Sequence, residues 1–132
     1  MSRKTETNEK DMTLNEYSDK AMVTCLANCN NEVYAINGLA AEVGEVNDKI
    51  AKWVRKGLCH VDGNRLVWNT SDEAEVAKYR EELIKEVGDI MWFTALLSRL
   101  LGYTYDDAAK INLAKLRDRA VRGVIVGEGD NR

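Results

Sequence analysis

EVYAINGLAAEVGEVNDKIAKWVRK, running from Glu32 to Lys56, decides the fold. Ile36, Leu39, Val43, Val46, Ile50 and Trp53 recur at the 3.6-residue period of an amphipathic helix, and Gly57 supplies the stop. A strand would alternate every second residue, and this run does not. Working outward, Thr13-Leu-Asn-Glu16 fits a capping box that opens a first helix reaching about Asn28, where Asn28, Asn30 and Asn31 break it. Downstream, Cys59 and Val61, then Asp62-Gly63-Asn64, then Leu66 and Trp68 suggest a short hairpin about an Asp-Gly turn. Thr70-Ser-Asp-Glu73 reads as a second capping box for a helix lasting to Leu101, with Gly102 as its cap. Thr104-Tyr-Asp-Asp107 opens a fourth helix that ends near Val121.

The expected architecture is therefore all-α, a four-helix bundle with a loop or hairpin between helices two and three. Residues 1–12 read as a flexible tail, 13–121 as one helical domain, and the glycine-rich stretch 122–132 as a second tail. The chain has 132 residues, 45% of them apolar, enough for a core without staples. It contains no proline, which fits a chain of long uninterrupted helices. A net charge of −3, from 22 acidic and 19 basic side chains, argues against a nucleic-acid-coating protein. Ile90–Leu97, the longest apolar run, is too short to span a bilayer. The polar first ten residues lack the apolar core of an export signal. Cys25 and Cys29, four apart on the expected first helix, read as small buried apolar groups, and Cys59 is unpaired with either at zinc-like spacing. Reduced thiols imply a cytoplasmic setting.

Two segments echo each other: Ala41-Glu-Val-Gly-Glu-Val46 and Lys85-Glu-Val-Gly-Asp-Ile90. Each sets two acids three apart on one helix face, Glu42 with Glu45 and Glu86 with Asp89. Each also spends a glycine, Gly44 and Gly88, at a cost of about 1 kcal/mol relative to alanine inside a helix. Close approach of two helix backbones would explain both. At about 100° per residue, Glu86 and Asp89 share the stripe of Phe93, Leu97 and Leu100, while Glu42 and Glu45 border the stripe of Leu39, Val46 and Trp53. Acids on core-bordering stripes must take up protons, pair with cations or bind metal. An all-oxygen set suits Mg²⁺ first and Mn²⁺ second. Di-iron chemistry needs histidine ligands, and the only histidine, His60, lies in the connecting loop. The plainer reading is surface charge, with Glu45 paired to Lys49.

Lys49, Lys52 and Lys56 follow the first acid pair within about 80° on the helical wheel, so the stripe turns from acidic to basic. Metal-bound phosphates need that order, cations for the inner oxygens and lysines for the outer charge. Asn112, Lys115, Arg119 and Arg122 share one face of helix four, either an anion-binding face or plain solvated surface. Trp53, Trp68, Trp92 and Tyr34 could stack on a base, though helical tryptophans are more often core, and Trp92 reads that way.

On these residues the chain resembles a MazG-type member of the all-α nucleoside triphosphate pyrophosphohydrolase superfamily. The resemblance rests on Gly38-Leu-Ala-Ala-Glu-Val-Gly-Glu-Val-Asn-Asp-Lys-Ile50, Glu86-Val-Gly-Asp-Ile-Met-Trp92 and Asn112-Leu-Ala-Lys-Leu-Arg-Asp-Arg119, and covers residues 13–121. It implies Mg²⁺-dependent cleavage of nucleoside triphosphates, often deoxy or non-canonical ones, into monophosphate and pyrophosphate. Glu42, Glu45, Glu86 and Asp89 would be metal ligands and catalytic groups, and Lys49, Lys52, Asn112, Lys115 and Arg119 contacts to phosphate or sugar. Many relatives carry a further acid where Ala41 stands, and the 57–72 insertion lengthens the gap between the pairs. The terminal Asp130, Asn131 and Arg132 either fold over bound phosphate as a lid or fray. A homodimer or homotetramer is implied, consistent with the apolar surface of helix three (Met91, Phe93, Leu96, Leu97, Leu100, Leu101). The alternative to an enzyme is a non-catalytic nucleotide- or metal-binding regulatory module, and a third reading is a bundle whose acids bind cations only for stability.

Overall fold

A computed structural model describes residues 11–123. Four helices account for most of it: α1 (Leu14–Met22), α2 (Glu32–Arg55), α3 (Glu73–Leu100) and α4 (Tyr105–Arg122). Between α2 and α3, strands β1 (Cys59–Asp62) and β2 (Arg65–Trp68) pair antiparallel, Cys59 opposite Trp68 and Asp62 opposite Arg65. The hairpin turn is Gly63-Asn64, with Gly63 at φ 61°. Asn64 does not share that positive φ, so the turn is not the I′ type, and glycine takes the first position without strain. Of the expected tails, residues 1–10 and 124–132, including the proposed lid with Arg132, lie outside the described residues, while Arg122 is the last residue of α4.

Local chemistry explains where helices begin and where two expectations shift. Thr13 and Thr104 each close a full capping box, with Glu16 and Asp107. The first helix stops at Met22 rather than near Asn28. Thr24 and Cys25 donate to carbonyls three residues back, and the Thr24 hydroxyl takes the Ala21 carbonyl at 2.7 Å, so the last turn tightens and ends. Cys25 and Cys29 therefore share no helix, and both are half-exposed rather than buried; the buried thiol is Cys59. Helix three begins two residues later than the Thr70 box implies. Asp72 is its N-cap, accepting from the Ala74 amide, while Thr70 accepts from the Asp72 amide.

The helices α2 and α3 run antiparallel and form the main packing pair, with α1 and α4 laid against α3. Near one end, a Cβ placed on Gly38 would lie 2.0 Å from Cε1 of Phe93, so the ring sits directly on the α2 backbone. At the other end, Trp68 stacks on Tyr79 at 4.9 Å and 14°, and Trp53 packs against both rings at steep angles. The close approach expected at Gly44 and Gly88 is found instead at Gly38: a Cβ at either of those glycines would meet nothing within 4 Å. The buried apolar core is small, comprising Ala35, Trp53, Cys59, Phe93, Ala95 and Leu96 among the described residues.

Candidate metal and phosphate site

Between the Phe93 contact and the aromatic stack, α2 and α3 face each other with acids. Glu42 lies one helical turn beyond Gly38, and Asp89 one turn before Phe93, so that contact sets both carboxylates at the same level. Glu42, Glu86 and Asp89 can each offer a carboxylate oxygen such that all three lie within 4.8 Å of one another. Glu45 stands outside this group and is exposed. Burial, then the charges of Asp89, Glu86 and Glu45, raise the Glu42 carboxyl above its ordinary range.

A lysine answers part of that charge. Lys49 Nζ lies 3.2 Å from Glu86 Oε1, bridging α2 to α3, with the two side chains 29% and 12% exposed. It crosses between helices rather than pairing with Glu45 along its own. Lys52, expected beside it, is turned to Asp48 at 2.6 Å, and that hydrogen bond raises its ammonium above the ordinary range. On α4, Asn112 is exposed, Lys115 half-buried and Arg119 buried at 6% exposure. The face expected to be uniformly open is therefore partly turned into the fold.

One neighbour escaped the sequence reading. Tyr17 of α1 donates its hydroxyl to the Gly88 carbonyl at 3.4 Å, beside Asp89. Burial, then Tyr105 and Asp89, raise its phenol above the ordinary range. Its position in α1 carries no marker of this, because the partner is on a helix far away in sequence. Trp92 is half-buried and donates its indole N–H to Thr24 Oγ1 at 2.9 Å.

The donor set suits a hard divalent cation. All three groups are carboxylates, and opposite ligands of an octahedral Mg²⁺ stand about 4.2 Å apart, so small side-chain rotations would close the group around one. A family model covers the segments that carry these residues. The model of the MazG nucleotide pyrophosphohydrolase domain matches residues 23–123, which include all three acids and Lys49. The chain belongs to the MazG family. The chain is also similar to the "Gene 37 protein" of Mycobacterium phage L5, 34% identical over 99 residues and spanning 75% of each chain. No solved structure matches significantly. Membership in the MazG family accounts for the mostly helical fold and points to nucleotide pyrophosphohydrolase chemistry. No helix of the described residues is long and apolar enough to cross a membrane.

Proposed function

We propose that the chain hydrolyses nucleoside triphosphates, deoxy or non-canonical ones by preference, to monophosphate and pyrophosphate with Mg²⁺, Mn²⁺ serving as substitute. The observation that carries this reading is the meeting of Glu42, Glu86 and Asp89 beside Lys49 in a MazG-family chain. A divalent cation bound there supplies charge neutralisation to the phosphates and acidifies water. Glu42, Glu86 and Asp89 hold it. Glu45, one turn along α2 from Glu42, is read as a further metal ligand or as the base that takes the proton of the attacking water. Lys49 and Lys52 are read as offering ammonium groups to the outer phosphates, and Asn112, Lys115 and Arg119 on α4 as contacts to phosphate or sugar. The reading includes Arg132 as a closing contact and a cytoplasmic location.

A homodimer or homotetramer is part of the proposal. Val33 at 70% exposure, Ile36, Val43 and Val54 on α2, with Ile84 and Val87 on α3, leave apolar surface that a monomer would hold in water. Light scattering checks the mass, and a monomer at micromolar concentration ends that part of the reading.

The test of activity is incubation with a panel of NTPs and dNTPs plus Mg²⁺, with products resolved by chromatography. Monophosphate and pyrophosphate are expected, reduced in Glu42→Gln by roughly a hundredfold or more. Diphosphate with orthophosphate means cleavage at the wrong bond. No turnover, with nucleotide still raising the melting temperature, replaces the enzyme by a binding module.

A further inference from the structure

Among the ion pairs of the described residues, Lys52–Asp48, Lys85–Glu81 and Arg122–Asp118 each run along one helix and Arg99–Asp19 joins α3 to α1 between exposed side chains, whereas Lys49–Glu86 joins α2 to α3 at the acid group. The Glu86 carboxylate faces two demands. Its Oε1 is 3.2 Å from an ammonium, and the same carboxylate is one of three whose oxygens lie within 4.8 Å of one another. A divalent cation binds carboxylate oxygen at about 2.1 Å and draws on the same negative charge that holds the ammonium. The two cations compete for one carboxylate and repel each other.

We infer that Lys49 is a built-in counter-ion that occupies the acid group when metal is absent and surrenders Glu86 when metal binds. The inference rests on the metal-dependent reading above and deepens it by assigning the lysine a role before substrate arrives. Three converging carboxylates without a cation would push α2 and α3 apart. Lys49 holds them in register. Its four-carbon stem is flexible and its ammonium compact, so release needs only side-chain rotation, not helix movement. The displaced ammonium then points outward from a metal-filled group, where phosphate oxygens would approach. One residue therefore carries two opposite effects: it weakens metal binding in the free protein and strengthens contact with the anion once metal is present.

That opposition makes the test sharp, because a merely structural lysine would shift everything one way. The experiment uses full-length, nucleotide-free protein, stripped with EDTA. Mn²⁺ binding is followed by the spin-resonance signal of free Mn²⁺, and stability by melting in EDTA. Lys49→Met is expected to bind Mn²⁺ roughly fivefold more tightly than wild type while melting lower in EDTA. Lys49→Arg, which keeps the charge, is expected to resemble wild type in both. Equal or weaker Mn²⁺ binding by Lys49→Met overturns the counter-ion role and leaves the metal site standing. Failure of wild type itself to bind Mn²⁺ overturns both. Should Lys49→Met not fold, the acetylation rate of Lys49 in wild type, read by mass spectrometry, decides. A severalfold rise on saturation with Mg²⁺ supports release of the ammonium, and an unchanged rate overturns it.

Discussion

The same two helices meet twice, in opposite chemistry. Near the hairpin, the space between α2 and α3 is filled by rings: Trp53 packs on Tyr79 at 5.3 Å and on Trp68 at 5.5 Å, with Cys59 buried beneath. Further along, the space is filled by Glu42, Glu86 and Asp89 with Lys49 among them. The aromatic end gains by removing apolar surface from water, and its contacts need no counter-charge. The acidic stretch costs stability, offset in part by one ammonium, and is clamped from one direction by the Gly38–Phe93 contact. The Trp53 rings lie beyond it in the other direction. Stability and candidate chemistry thus occupy separate segments of one helix pair.

The largest expected effect tests that separation. Trp53→Ala removes a side chain only 7% exposed and should cost about 3–5 kcal/mol in urea denaturation. Mn²⁺ affinity, measured where the variant is still folded, should stay within about twofold of wild type. A parallel collapse of metal binding would show that the rings set the geometry of the acids as well as the stability, and the comparison would fail.

How much of this was legible in sequence follows from the range of each interaction. The helices α2 and α3 and the hairpin rest on periodicity and turn residues within a few positions of one another, and they were readable. The echo of Glu42/Glu45 and Glu86/Asp89 was readable too, but not that Glu45 would stand outside the group. For Lys49 the sequence suggested Glu45, four residues away on the same helix, and gave no sign of Glu86 across the interface. Tyr17 and Gly38 were invisible because their roles depend on residues of α3. Three glycines interrupt α2 and α3, and the two flanked by acids drew attention; only the packing shows that the third carries the contact. The early end of α1 turned on one threonine hydroxyl, a signal that helix periodicity does not contain.

An intermediate effect sharpens the comparison from the clamped side. Gly38→Ala places a methyl within 2.0 Å of the Phe93 ring, which must move. Overpacking of this kind costs about 1–3 kcal/mol, against which alanine's better helix propensity returns at most ~1 kcal/mol. Because Gly38 and Phe93 sit one turn from Glu42 and Asp89, the displaced ring should also weaken Mn²⁺ binding, unlike Trp53→Ala. Gly44→Ala is the control, since its Cβ meets nothing within 4 Å and should not weaken Mn²⁺ binding. Equal effects of the two alanines would mean the Phe93 contact does not position the acids.

The smallest effect separates regions by pH. At the start of α4, Asp107 accepts from the Thr104 amide and Thr104 Oγ1 accepts from the Asp107 amide, at 3.0 and 3.1 Å. These backbone and side-chain bonds to Thr104 hold the Asp107 carboxyl below its ordinary value of 3.8. A depressed folded-state value means that the cap's contribution is complete above that ordinary value and is lost as pH falls through the folded one. Glu42 has the opposite sign. Its carboxyl is raised above 4.5, so its ionisation opposes folding, a penalty absent below that value and complete above the folded one. In EDTA, Glu42→Gln should therefore raise the melting temperature at neutral pH, with the gain fading as pH falls toward 4.5. Asp107→Asn should lower it at neutral pH, with the loss fading only in stronger acid, below 3.8. Melting curves of both variants across pH 3–7 check the signs. A Glu42→Gln protein that melts lower than wild type at neutral pH without metal would mean that Lys49 and its surroundings already make the acid group stabilising.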